Sequence, residues 1–172
     1  MNNGMDKNDI LETLKFIDKK IGNNINSKNE NTIVEITLVG GSAISLGYNS
    51  PRYTFDIDCL PINPEELNEQ FKKIGFDVLT STFLLLPDEY KDRRNEVDGF
   101  ENIKVYTISA IDLILSKLSR GSYKDQEDCR WLIKNGYVTV EELVKEFLEW
   151  KKYYPFNEDK VQTTFDLIVE GF

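Results

Sequence analysis

Apolar positions along the chain follow two periods, and where they switch marks its organisation. Ile10, Leu14, Ile17 and Ile21 fall at helical spacing and predict an amphipathic helix over 9–21, with Gly22 placed to end it and the polar, Asn-rich run 23–31 as a loop. Residues 33–39 are β-branched and apolar and predict a strand ending in Gly40-Gly41-Ser42, and a second strand presents Asp56-Ile57-Asp58. Asn63 is placed to cap a helix with Pro64 at its first position. Glu65 and Glu66 then sit where the helix dipole favours negative charge, Leu67, Phe71 and Ile74 form a buried stripe, and Gly75 closes it. Residues 76–80 and 82–86 read as short strands, the second stopped by Pro87. The charged, poorly periodic run 87–102 reads as a surface loop, and 103–107 as a further strand.

From Ser109 onward the period is helical. Ser109 opens a helix with Asp112 at the capping-box position and Ile111, Ile114, Leu115 and Leu118 facing inward. Residues 124–134 form a helix up to Asn135-Gly136. Thr139 and Glu142 make a capping box for a helix through Leu143, Phe147 and Trp150, and Pro155 separates a last helix over 158–169. The expected fold class is α/β (α+β): a core over 1–108 with a short mixed sheet flanked by helices, then a helical C-terminal portion over 109–172 packed on it.

Composition narrows the chemistry. At 172 residues the chain can bury a real core as one domain, or as one domain with a helical appendage. Histidine is absent, which excludes Ser-His-Asp and Cys-His catalysis, HExxH zinc sites and imidazole bases. Any catalysis must rest on carboxylates, Lys, Arg, Tyr or a metal. Cys59 and Cys129 form neither a disulfide framework nor a zinc spacing. No apolar run approaches the ~20 residues that span a bilayer, and the polar start lacks a signal-peptide core, so the expectation is a cytoplasmic protein without membrane contact. A net charge of −9 argues against a non-specific nucleic-acid coat, while Lys91, Arg93 and Arg94, and Lys117, Arg120 and Lys124, leave two local basic clusters.

The stretch 38–61 carries the chemical signal. Strand alternation puts Asp56, Asp58 and Leu60 on one side and Phe55, Ile57 and Cys59 on the other, so two carboxylates stand together. Such a pair favours a cation or a shared proton, and Mg²⁺ commonly takes one or two carboxylates plus substrate phosphates. Gly40 and Gly41 let backbone N–H groups approach an anion, and a helix starting near Ser42 aims its positive end at the same place.

Gly-Gly-Ser followed by Asp-x-Asp resembles the nucleotidyltransferase superfamily, the polymerase-β-like fold. The order GGSA and then Arg52-x-Thr54-x-Asp56-x-Asp58 is similar to small bacterial nucleotidyltransferase-like proteins related to AbiEii/MenT-type toxins, of the DUF6036-like kind. The resemblance implies a nucleotidyltransferase fold and transfer of a nucleoside monophosphate from an NTP to a hydroxyl acceptor. It casts Asp56 and Asp58 as ligands of Mg²⁺ (or Mn²⁺), and Gly40, Gly41, Ser42, Arg52 and Thr54 as the nucleotide cradle. A second likeness, a helix bearing Lys117 followed by Lys124-Asp125-Gln126-Glu127-Asp128, implies that Lys117 contacts the triphosphate. It also implies that Asp125, with Asp128 as the lesser candidate, completes the catalytic network. An acceptor among RNA, tRNA ends or protein and a cognate antitoxin as partner follow from the toxin likeness. The family's third carboxylate comes from a later strand, yet 103–107 offers Lys104 and Tyr106, leaving Asp77 and Glu101 as substitutes. A catalytically inactive module that binds nucleotide or a partner protein is the alternative that this gap leaves open.

Overall fold

Val34–Leu38 (β1) is the central strand of a five-stranded mixed sheet in the computed structural model, which describes residues 4–28, 33–62, 65–154 and 157–172. Before it runs a helix, Lys7–Lys28 (α1), and after it Gly40–Gly47 (α2), Ile57–Cys59 (β2), Asn68–Lys73 (α3) and Phe76–Val78 (β3). Ser81–Leu84 (α4) is a single helical turn, followed by Asn95–Val97 (β4) and Ile103–Thr107 (β5). Four helices end the chain: Ala110–Leu118 (α5), Tyr123–Lys134 (α6), Val140–Lys151 (α7) and Glu158–Val169 (α8). The sheet order is β3-β2-β1-β5-β4, with β1/β5 and β2/β3 parallel and β1/β2 and β4/β5 antiparallel. No helix among the described residues is long and apolar enough to cross a membrane.

The chain divides into two compact units, Met1–Thr80 with Arg94–Ile108 and Ser81–Arg93 with Ser109–Phe172. The first buries Ile10 and Leu14 of α1, Ile36 and Leu38 of β1, Ile44 of α2, Ile57 of β2 and Val105 of β5. The second buries Leu113, Ile114 and Leu115 of α5, Leu132 of α6, Phe147 of α7 and Phe165 of α8, with the rings of Phe147 and Phe165 stacked at 3.9 Å. Segment Ser81–Arg93 joins the second unit through two anchors. Trp150 Nε1 donates to the Leu85 carbonyl (2.8 Å), and the Arg93 guanidinium reaches Asp112 (2.6 and 3.3 Å) and Glu146 (2.9 Å).

Four predicted elements are corrected. The first helix does not stop at Gly22 but runs on to Lys28, through most of the predicted loop. A Cβ on Gly22 would stand 2.6 Å from Asn102 Nδ2, so this glycine serves a close approach inside the helix rather than its end. Residues 82–86 are helical and not a strand, because Leu86 N–H closes onto the Ser81 carbonyl (3.1 Å) and Leu85 N–H onto that of Thr82 (3.2 Å). The charged run 87–102 holds a 3₁₀ stretch, Asp88–Arg93, and the edge strand β4, whose three residues are too few and too exposed to show alternation. Ile74 is exposed; of its predicted stripe only Phe71 is buried, edge-on to Phe76 at 5.0 Å. Asn63, Pro64 and Pro155 lie outside the described residues, and a 3₁₀ turn, Glu65–Leu67, leads into α3. The capping box of Thr139 and Glu142 and the last helix, 158–169, stand as predicted.

Candidate active site

The turn from β1 into α2 builds the site. Gly40 opens α2 with φ +53°, and a Cβ there would fall 2.4 Å from Asp58 Oδ2, so both backbone and space demand glycine. Gly41 N–H donates to that same oxygen (3.2 Å), and a Cβ on Gly41 would meet Thr54 Oγ1 at 2.9 Å and Arg52 Nε at 3.3 Å. The Ser42 hydroxyl, fully buried, donates to the Asp56 carbonyl (3.1 Å) and accepts from Asp58 N–H (3.0 Å). Thr54 Oγ1 donates to the Asp56 carbonyl as well (3.1 Å), and Ser45 Oγ to that of Arg52 (3.3 Å). Two hydroxyls, of Ser42 and Ser45, thus fasten the approach to β2, 52–58, against α2, and that of Thr54 braces the segment from within. They explain why small polar residues stand at this spacing.

Asp56 and Asp58 are not alone. One carboxylate oxygen each of Asp56, Asp58 and Asp77 lies within 4.8 Å of the others. Asp77 arrives through strand pairing: β2 and β3 are parallel with Asp58 in register with Asp77, so both side chains leave the same face. The third carboxylate of this group therefore stands on β3, while β5 contributes none to it. Glu101 is not in this group of three; it stands in the turn before β5, where its N–H and those of Asn102 and Ile103 donate to Asp18. Asp56 and Asp77 are exposed and Asp58 half-buried. Ligand atoms around Mg²⁺ at ~2.1 Å stand about 3–4 Å apart, so a small side-chain rotation brings these oxygens into range of one hard ion. The donor set, all carboxylate oxygen, suits Mg²⁺ or Mn²⁺.

Leu38 pairs with Cys59, which puts Asp58 on the sheet face of Thr37, and Thr37 pairs with Tyr106. On that face the Arg94 guanidinium lies 4.1 Å from the centre of the Tyr106 ring and donates to Thr37 Oγ1 (2.9 Å) and Glu35 (3.4 Å). The opposite face is apolar. There burial, then Asp58 and Asp77, push the Cys59 thiol up to about 12, so it stays neutral.

Lys117 and Asp125 belong to the second unit, where they engage each other. Lys117 Nζ, 3% exposed, donates to Asp125 (3.1 Å) and Asp128 (2.9 Å). Arg120 donates to both Asp125 oxygens (2.6 and 2.7 Å), and Asp125 also closes the capping box of α6 with Ser122. Burial pushes the Asp125 carboxyl up, but Arg120, Lys117 and Ser122 outweigh it and hold the group well below the usual carboxylate range.

Sequence reasoning named Asp77 only as a substitute, set Arg94 in a basic cluster and Tyr106 where a carboxylate was sought, and passed over Thr37. The usable signal was the strand-helix-strand unit 57–78, whose parallel register alone brings Asp77 beside Asp58. A glycine turn running from a central strand into a helix, set against carboxylates from the next two strands, is the arrangement of a nucleotidyltransferase-like domain. The chain belongs to the family described as nucleotidyltransferase of unknown function (DUF6036), which it matches over residues 12–170. No curated protein and no solved structure matches it.

Proposed function

We propose that this protein is a Mg²⁺- or Mn²⁺-dependent nucleotidyltransferase that moves a nucleoside monophosphate from an NTP to a hydroxyl. The observation that carries this reading is Asp77 standing in register with Asp58, which supplies three carboxylates at the glycine turn. Asp56, Asp58 and Asp77 would hold the metal, which when bound offsets the charge on the phosphates. The Gly40 and Gly41 backbone and the Arg52 guanidinium beside Gly41 receive the phosphate tail. A carboxylate oxygen of the cluster takes the acceptor's hydroxyl proton; the oxygen attacks the α-phosphorus, the bond to the β-phosphate oxygen breaks, and pyrophosphate leaves. Ser42 and Thr54 act as struts that hold Asp56, since their hydroxyls are committed to its carbonyl.

Lys117 and Asp125 are proposed to stabilise the second unit, because each has the other as a buried partner. The likeness to AbiEii/MenT-type toxins supports a finer reading, with an RNA or tRNA end or a protein as acceptor and a cognate antitoxin as partner. The alternative, a non-catalytic module that binds nucleotide or a partner protein, rests on the third carboxylate being missing from β5, and Asp77 beside Asp58 weighs against it.

The test is calorimetric titration of each of the four NTPs, with Mg²⁺ or with EDTA, into wild type and the Asp56→Asn/Asp58→Asn double variant. Metal-dependent binding by wild type that vanishes in the variant is expected. Absence of binding by folded wild type even at ~1 mM, about −4 kcal/mol, overturns the reading.

A further inference from the structure

Beside the segment leading into Asp56, the first unit carries a cleft of about 310 Å³. Asp6, Lys7 and Asn8 line one wall; Asn49, Arg52 and Tyr53 line the other. Backbone pairing joins the walls, with Met5 N–H donating to the Thr54 carbonyl (2.6 Å) and Thr54 N–H to that of Met5 (3.0 Å). An isolated bridge thus ties the start of the chain to the segment that leads into Asp56.

Its lining is chemically divided. Lys7 and Arg52 bring two positive charges, and the Lys7 ammonium donates to the Asn49 side-chain carbonyl. Asp6 brings one negative charge, but its Oδ1 is occupied by the N–H groups of Asn8 (2.7 Å) and Asp9 (3.0 Å). Two positive charges thus stand against a single, partly committed carboxylate, the Arg52 charge from a guanidinium whose Nε and Nη1 are buried behind the cleft. Tyr53 is 58% exposed, an aromatic ring set beside the cations and two amide side chains. Cations suit phosphate, an exposed ring suits stacking by a planar heterocycle whatever its identity, and amides offer both donors and acceptors to its edge. Ligand pockets run from ~300 to ~1,000 Å³, so this cleft has room for one nucleotide unit and not two.

We propose that the cleft is a second ligand site, which takes a phosphate joined to a planar ring, of mononucleotide size, without a metal. Choosing a nucleotide among such compounds rests on the nucleotidyltransferase reading; the cations and the ring do not depend on it. Arg52 links the two places, because its Nε lies against Gly41 at the mouth of α2 while the residue lines the cleft. A nucleotide held there stands next to the chain that delivers Asp56, as either a free mononucleotide or the terminal unit of a strand.

The test titrates AMP, CMP, GMP and UMP in EDTA, with adenosine and inorganic phosphate as fragments, into wild type, the Asp56→Asn/Asp58→Asn variant, Lys7→Gln, Tyr53→Ser and Tyr53→Phe. At least one monophosphate is expected to bind wild type and the double variant equally, and each fragment at least tenfold more weakly. Lys7→Gln and Tyr53→Ser should each weaken binding at least tenfold with an unchanged circular dichroism spectrum, while Tyr53→Phe, which keeps the ring, retains it. A tetranucleotide run alongside separates the two sources: tighter binding than the monophosphate assigns a strand end, weaker binding a free nucleotide. No monophosphate binding, binding lost in the double variant, or binding indifferent to Lys7→Gln and Tyr53→Ser would overturn the proposal. Since the double variant abolishes the metal-dependent NTP site and spares the cleft, failure of either reading shows separately.

Discussion

Replacing Asp77 by Asn should make the metal-free protein more stable and less responsive to metal. In the native chain the Asp77 carboxylate faces two like charges, Asp56 and Asp58, with oxygens within 4.8 Å. At that separation each pair costs about 0.9 kcal/mol in a water-like medium and about 3.5 kcal/mol at an effective dielectric of ~20. Asp56 and Asp77 are exposed, so the lower figure governs, and removing both pairs relieves about 2 kcal/mol. For a chain of this size each kcal/mol moves Tm by about 2–4 °C, which predicts a rise of about 4–8 °C in EDTA at low salt. With about 10 mM Mg²⁺ and a site of ~1 mM affinity, wild type gains about 1.4 kcal/mol from binding, and Asp77→Asn gains little. Thermal melts in both buffers test this, and added salt should shrink the EDTA difference by screening. If Asp77→Asn melts below wild type in EDTA, or gains as much from Mg²⁺, the three carboxylates are not a repelling cluster that a cation relieves.

Two further substitutions test the frame around that cluster. Gly40→Ala forces a Cβ into the place of Asp58 Oδ2 at φ +53° and should cost about 1–2 kcal/mol from backbone conformation alone, with the Mg²⁺ response of the melt abolished as Asp58 is displaced. Asp125→Asn leaves Lys117 and Arg120 under-compensated and should destabilise by about 3 kcal/mol near neutral pH, read from urea unfolding. Because the folded-state pKa of Asp125 is lowered from 3.8, its contribution is complete above pH ~4 and fades as pH falls below that; the deficit of the variant should therefore shrink in acid.

Much of the fold was legible because local chemistry and tertiary context agree there. The helix from Ser109, the capping box of Thr139 and Glu142 and the strand 103–107 each carry a period, a cap or a β-branched run that packing then honours. The misreadings fall where a distant partner decides. Gly22 looks like a helix end until Asn102 packs against it, and 82–86 looks like a strand until Trp150 takes the Leu85 carbonyl. At the site, Gly40, Gly41, Ser42, Asp56 and Asp58 were visible as a linear pattern. Asp77 was not, since strand register is a three-dimensional quantity that alternation within one strand does not carry. Lys117 and Asp125 stood out as polar residues at a familiar spacing, and that they pair with each other and with Asp128 and Arg120 is a tertiary fact that no linear reading carries.

The glycine and hydroxyl residues of the motif serve the fold as much as the chemistry. Gly40 and Gly41 make room for Asp58 and Thr54, and Ser42 and Thr54 spend their hydroxyls on the Asp56 carbonyl. A chain could keep every one of these residues to hold β2 against α2 and perform no transfer. Asp77 differs, because its register with Asp58 adds a charge where charge is already in excess. Free energy is lost by placing a third carboxylate there unless a cation compensates it. Such a cost is what the Mg²⁺ response of the melt reads, and the motif alone carries no comparable signal. A related chain with Gly-Gly-Ser and Asp-x-Asp but a neutral residue in register with Asp58 should accordingly fold the same way, melt higher without metal, and bind no metal-linked nucleotide.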